Sequence, residues 1–386
     1  MKLFHNCPYN QCMVIPLKEL IIERVRREGR ISFRDYMETA LYHPEYGYYT
    51  RGIERIGPEG DFYTSPHLHR IFGEAVGLQI CEMLRHLDEG GELKVVEIGG
   101  GKGYLAEGVL IRLIEELGGR NIEYLIVEKN RRWAESQKDY LSGFKHHLRW
   151  TSSIDEISPF KGVILSNELF DAFPVHLIEY RSGFKEVFLE VRAGELVEVL
   201  SDIKNPALLE YINEYEIPEI EGYRTEVNLE MKGFLNVLSG VLREGFVLTI
   251  DYGYPAWEYY LPERTRGTLL CYHRHTVSEN PYRLVGEQDI TAHINFTSLV
   301  RWGRKVGFEP LGYAPQGTFL ISLGIDRLIQ QNLEKDRGFE RELPKIKGLL
   351  LGMGDTHKVL VQYKGENLPT GLSGFSLRNR LSLLEA

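Results

Sequence analysis

The stretch "VVEIGGGKGYLAEGV", residues 95–109, places four glycines within five positions, directly after an apolar run and directly before a helical pattern. A strand that ends in such a turn and opens a helix can bind an anion, because the first-turn N–H groups have no backbone partner there. Three ligands compete for this turn. A P-loop needs Ser or Thr after its Lys to carry magnesium, and Lys102 is followed by Gly103, so that reading fails. The dinucleotide fingerprint is met literally by Gly101, Gly103 and Ala106, with Glu128 about where a ribose-binding acid belongs. Glycines this dense make such a match nearly inevitable. S-adenosylmethionine carries a sulfonium, an amino acid and a ribose but no phosphate. It asks for an acid ending the first strand, glycines that admit the methionine moiety, and a second acid ending the next strand for two ribose hydroxyls. Glu97, Gly99, Gly101, Gly103 and Glu128 supply that set.

A second constellation lies in "SNELFDAFPV", where Asn167, Glu168 and Asp171 follow another apolar run. In open α/β sheets ligands bind at the carboxyl ends of strands, so these side chains belong to the same edge as the glycine turn. Asp251, ending "LTIDY", is placed similarly and is either substrate-facing or structural. Ser153 follows the third strand, where adenine-contacting residues usually lie. His273 and His275 in "CYHRH" stay outside the catalytic set, as histidines of a loop beyond the fifth core strand.

The elements that must hold these residues are legible as changes of period. Residues 17–42 read as two short helices, the first with Leu17, Leu20, Ile21 and Val25 at three-to-four spacing and ended by Gly29. A helical pattern runs from Ile71 to Leu87. "LKVVEI" (93–98), "IEYLIVE" (122–128), "HHLRW" and "KGVILSN" (161–167) read as strands separated by helical segments. That alternation predicts a doubly wound α/β sheet with parallel pairing. After Pro174 the alternation of "VHLIEY", "KEVFLEV" and "ELVEVL" predicts an inserted antiparallel segment at about 175–225. "FVLTIDY" (246–252), a long loop from Gly253 to about Asp289, a helix near 296–306 and "KVLVQY" (358–363) complete the pattern. The expected division is an N-terminal helical region and covering loop over 1–90, a main domain over 91–365 and a tail over 366–386.

The 386 residues carry 43% hydrophobic and 26% charged side chains, ordinary for a folded chain. A formal net charge of −9 argues against a nucleic-acid footprint, which needs gathered Lys and Arg. The four cysteines, Cys7, Cys12, Cys81 and Cys271, lack the paired spacing of a zinc site, so no metal is expected. No stretch reaches the ~18 apolar residues of a membrane span.

Taken in order, "SFRDYMETALYHPEYGYY", "GDFYTSPHLHRIFGE", "VVEIGGGKGYL", "SNELFDAFPVH", "IDYGY", "GEQDITAHINF" and "QGTFLISLGI" resemble the MidA family of S-adenosylmethionine-dependent methyltransferases. The motifs run from about residue 32 to 363. The resemblance implies a class I methyltransferase (Rossmann-like) fold, S-adenosylmethionine as cofactor and a protein arginine as acceptor. An arginine acceptor calls for carboxylates that orient the guanidinium, and Glu168 and Asp171, just past the fourth strand, are the expected catalytic pair, with Asn167 on the same edge. The resemblance also implies that "GDFYTSP" folds over the cofactor, with Asp61, Thr64 and Ser65 as polar contacts and Phe62 and Tyr63 as apolar cover. Two positions depart from the family: Gly100 stands where proline is usual, and Asn295 stands where an acid is common. With no transit peptide before the first helix, a cytoplasmic protein is expected. The 175–225 insertion is the expected surface for a partner or a homodimer. Two alternatives stand beside this reading: a nicotinamide-dependent oxidoreductase, and a non-catalytic assembly factor that keeps the pocket.

Overall fold

The computed structural model describes residues 17–51, 65–87, 92–118 and 121–385. Its centre is a sheet built from β1 (Leu93–Ile98), β2 (Ile122–Val127), β3 (Leu148–Thr151), β4 (Phe160–Asn167), β5 (Leu242–Tyr254), β6 (Glu309–Pro315) and β7 (His357–Lys364). The strands lie side by side in the order β3-β2-β1-β4-β5-β7-β6, and the short strand Ile294–Asn295 adds to β5. The first five pair in parallel, whereas β7 runs antiparallel to both of its neighbours. Chain order therefore reverses between β1 and β4, which opens a crevice at their carboxyl ends.

Both faces of the sheet are covered, as its near-continuous apolar strands require. Along β1, Leu93 and Val95 enter one core with the helices Ile71–Leu87 and Tyr104–Leu117. Val96 and Ile98 enter the opposite core with the helices Glu230–Val241 and Phe296–Lys305. On the first face the two helices touch backbone to backbone: a Cβ on Gly108 would lie 2.7 Å from the Cα of Gly73. That close approach fixes where the helix Tyr104–Leu117 starts, and hence where the glycine turn sits.

The segment after β4 forms a separate antiparallel sheet. Phe184–Arg192 pairs with His176–Tyr180, with Glu195–Asp202 and with the N-terminal strand Ile31–Ser32, while Arg224–Val227 pairs with His176–Tyr180. A third core ties this sheet to the N-terminal helices Leu17–Glu28 and Phe33–Tyr42 and to residues 270–292. The polar run after Gly253, read from sequence as a loop, contains the helix Ala256–Tyr259 and a small sheet of Leu270–His273, Thr276–Ser278 and Asp289–Thr291. Its strands hold three or four residues each, too short for a clear alternation.

Candidate functional site

The glycine turn leaves β1 with Gly99 at φ +74°, Gly101 at +52° and Gly103 at +87°. These left-handed conformations suit glycine and strain any side chain. No described atom lies within 4 Å of where a Cβ on Gly101 would stand, and Leu169 Cδ1, at 3.5 Å, is what a Cβ on Gly99 would meet. Gly103 is also the N-cap of the helix Tyr104–Leu117, and no described side chain caps that end. The result is a bare cradle backed by a positive helix terminus, suited to an anionic carboxylate with an uncrowded backbone beside it.

Glu97 lies beneath the cradle rather than at its rim. It is 1% exposed, accepts a 2.7 Å hydrogen bond from the Tyr124 hydroxyl, and would sit 3.7 Å from a Cβ on Gly100. Burial pushes its carboxyl up to about 7 against the pull of Tyr124. Glu128 stands one residue beyond β2, half-buried, with its carboxyl raised chiefly by burial. One of its oxygens accepts from the Asn130 N–H at 2.9 Å and the other from Gln137 Nε2 at 3.2 Å. Ser153 follows β3 and caps the turn Ile154–Glu156, accepting from the Asp155 N–H at 3.2 Å.

Gln137 is the residue the sequence did not single out. Fully buried, it donates from Nε2 to the Gly101 carbonyl at 2.7 Å as well as to Glu128, while Oε1 accepts from Trp150 Nε1 at 3.0 Å. One amide therefore joins the turn after β1, the acid after β2 and a ring on β3. In "RRWAESQKDY" it is one polar residue among many, so no local pattern marks it.

Across the crevice, β4 ends at Asn167, opposite Ile250, while β5 runs on to Tyr254. Glu168 follows at φ +50°, an uncommon conformation for a side-chain-bearing residue, fixed by a 2.8 Å bond from its N–H to the Ile250 carbonyl. Its side chain is 6% exposed. Asn167 Nδ2 donates to one carboxylate oxygen at 3.1 Å and the Tyr252 hydroxyl to the other at 3.3 Å. Asp251 is structural: it accepts from the N–H groups of Leu169, Phe170 and Tyr252 at 3.2, 2.9 and 2.8 Å, which shapes the turn carrying Glu168 and Asp171. Burial pushes its carboxyl up to about 7, while those N–H groups pull it down.

Asp171 is 4% exposed, and its Oδ1 has no hydrogen-bond partner among the described residues. Burial, and then the charges of Asp251, Glu168 and Asp289, raise its carboxyl well above the usual range. Asp289 faces it from the small sheet and accepts from the Tyr49 hydroxyl at 2.9 and 3.0 Å. Both halves of the crevice meet at His67. Burial lowers its imidazole to about 4; the charge of Lys102 in the glycine turn acts in the same direction and Glu168 opposes it.

Of the covering loop, Asp61, Phe62, Tyr63 and Thr64 lie outside the described residues. Ser65 is buried and donates to Gln316 Oε1 at 3.1 Å. Asn295 caps the helix Phe296–Lys305, accepting from the Ser298 N–H at 3.2 Å. His273 lies at the end of a short strand with Nδ1 2.8 Å from the Glu287 carbonyl. No helix among the described residues is long and apolar enough to cross a membrane.

Residues 75–314 match the model of a family described as S-adenosyl-L-methionine-dependent methyltransferases. The chain is 26% identical to the mitochondrial "Protein arginine methyltransferase NDUFAF7 homolog" of Caenorhabditis elegans over 370 residues, 87% of this chain and 83% of that one. It is 27% identical to the human mitochondrial protein arginine methyltransferase NDUFAF7 over 354 residues, 83% and 76% of the two chains. A solved structure of a COG1565 superfamily protein from Burkholderia thailandensis, bound to S-adenosyl-homocysteine, superposes with a TM-score of 0.86 at 29% identity and covers 94% of this chain and 95% of its own. The cytoplasmic placement expected from the sequence is corrected by these relatives, which are named as mitochondrial proteins. The nicotinamide reading and the non-catalytic one give way as well. With its cradle, its sheet order and these matches agreeing, the chain belongs to the MidA family of S-adenosylmethionine-dependent methyltransferases.

Proposed function

We propose that this methyltransferase modifies an arginine side chain of a protein. The observation that carries the reading is the orphaned Oδ1 of Asp171, buried among Glu168 just beyond β4, Asp251 of β5 and Asp289 of the small sheet. A carboxyl-rich pocket in which Asp171 Oδ1 and Asn167 Oδ1 both lack a hydrogen-bond partner among the described residues suits a planar cation with several N–H donors, which a guanidinium is. The names of the relatives, protein arginine methyltransferases, support the same acceptor.

S-adenosylmethionine supplies the methyl group. Gly99, Gly101 and Gly103 admit its amino acid portion, Glu97 supports the turn from beneath, and Glu128 accepts the ribose hydroxyls. Ser153 borders the adenine side, with Asn167 at the junction with the acceptor pocket. Guanidinium nitrogens are weak nucleophiles because their lone pairs are delocalised, so orientation and preorganised charge do most of the work. Glu168 holds the guanidinium in line and takes the proton released on methylation, and Asp171 clamps its far edge.

Purified protein incubated with labelled methyl donor and a protein extract tests this reading. The expected label is on arginine; label confined to other residue types overturns it. Glu168→Gln is expected to slow transfer by roughly 100-fold or more while donor affinity stays within about threefold. Unchanged turnover would remove Glu168 from the chemistry.

A further inference from the structure

Two neighbours meet one carboxylate oxygen of Glu168, and each keeps a buried polar atom to spare. Asn167 Nδ2 donates to Oε1 at 3.1 Å, which fixes the amide, because a carboxylate can only accept. Asn167 Oδ1 is therefore turned elsewhere, buried and without a partner among the described residues. His357, at the start of β7, is fully buried and brings Nε2 to 3.4 Å from the same oxygen, with no hydrogen bond between them. Tyr252 lies directly opposite His357 in the register of β5 and β7. Their ring centroids are 4.0 Å apart, and the Tyr252 hydroxyl donates to the other Glu168 oxygen. The imidazole is thus held against Glu168 without being bonded to it.

The opposite nitrogen fixes what Nε2 offers. Nδ1 lies 3.1 Å from the Met353 carbonyl, which also accepts from the Thr356 hydroxyl at 3.2 Å. A carbonyl cannot donate, so Nδ1 carries the proton of the neutral ring and Nε2 presents a lone pair. A buried lone pair beside a carboxylate is unfavourable unless something donates to both. With the unpaired oxygens of Asn167 and Asp171, this pocket holds more buried acceptors than the donors of the described residues satisfy. Its missing partner is rich in donors and has no lone pair of its own. A guanidinium presents a planar fork of N–H groups that can meet several acceptors at once, whereas an ammonium offers its donors from a single point.

We infer that His357 is a substrate-binding residue whose neutral Nε2 accepts an N–H of the acceptor guanidinium beside Glu168, and that this contact favours a guanidinium over an ammonium. The inference rests on the proposed arginine acceptor and adds to it a second contact, made by an uncharged group. Glu168 supplies charge and His357 supplies direction. The ring keeps its Nδ1 proton throughout, so the same neutral state meets each new acceptor.

The test uses the full chain loaded with S-adenosyl-homocysteine, with butylguanidinium and butylammonium standing for the arginine and lysine side chains. Calorimetry is expected to find butylguanidinium bound at least about tenfold more tightly than butylammonium. His357→Leu should shrink that preference to about threefold or less while affinity for S-adenosyl-homocysteine stays within about twofold. His357→Gln, which returns an acceptor oxygen near the place of Nε2, should restore at least about half of the lost preference. No preference in the wild-type protein, an undiminished one in His357→Leu, or a Gln variant no better than the Leu variant overturns the inference. Should the variants misfold, histidine nitrogen NMR of the wild-type protein decides: Nε2 is expected to be unprotonated, with a resonance that moves on adding butylguanidinium and not butylammonium. A proton resident on Nε2, or a resonance that stays still, sinks the contact. Label found on arginine together with an unaltered preference in His357→Leu would strike this contact alone, whereas label confined to other residue types would strike the acceptor reading itself.

Discussion

Glu97 and Asp171 are both carboxyls that the fold keeps protonated more readily than water does, and this has a consequence for stability. For Glu97 the ordinary value is 4.5 and the folded value about 7. Below 4.5 folded and unfolded chains both hold the proton. Above it the unfolded chain releases the proton while the folded chain keeps it, so the stability due to this group declines as pH rises and is lost once pH passes about 7. The shift corresponds to about 3 kcal/mol at most. Glu97→Gln removes the ionisation, so urea unfolding should find the variant gaining on wild type between roughly pH 5 and 8. A constant difference across that window would mean that Glu97 ionises normally in the folded protein. The sequence marked Glu97 and Glu128 by their places at strand ends. It could not tell that one lies under the cradle and the other beside it, because that depends on Tyr124 and Gln137, whose contacts are formed only when three strands align.

At the scale of elements, the helix Arg131–Tyr140 has one task that its composition conceals. Its exposed face is charged, and Gln137 is fully buried at the carboxyl ends of three strands. The core strands were legible because each is an apolar run bounded by turns, and the helix Tyr104–Leu117 because its stripe repeats over the whole length. Gln137 carries no such signal, being defined by partners 36, 9 and 13 residues away. Gln137→Leu keeps the bulk but leaves the Gly101 carbonyl, a Glu128 oxygen and the Trp150 N–H without this amide. Buried polar groups left unpaired cost about 1–3 kcal/mol each, so the variant should be less stable. Calorimetry should also show donor affinity weakened by roughly tenfold, equivalent to about 1.4 kcal/mol. If the protein is destabilised while affinity holds, Gln137 supports the core and does not position the cofactor.

On the scale of the whole molecule, the N-terminal helices, the antiparallel sheet and residues 270–292 share one core, and the strand tips of the central sheet share another function. Tyr49 joins the two. Its hydroxyl donates to Asp289, its carbonyl accepts from Asn130 Nδ2 at 2.9 Å, and its ring stacks on Tyr42 at 5.5 Å. Tyr42 in turn donates to the Ala172 carbonyl at 2.9 Å, next to Asp171. No periodicity announces this, since Tyr49 and Asp289 are 240 residues apart. On the proposed acceptor site, the arrangement makes the N-terminal region a wall of that pocket, attached to the glycine-turn side through Asn130. Tyr49→Phe keeps the stacking and the backbone bond and removes only the hydroxyl that donates to Asp289. Acceptor KM should rise roughly five- to tenfold, about 1 kcal/mol, because Asp289 loses one of the donors that orient it, the Ile290 N–H at 2.9 Å remaining. Donor affinity should stay within about twofold, because Asn130 still bonds to the Tyr49 carbonyl. Equal losses for donor and acceptor would mean that this wall holds the cofactor as much as the substrate, and the division of labour between the two halves of the crevice would have to be redrawn.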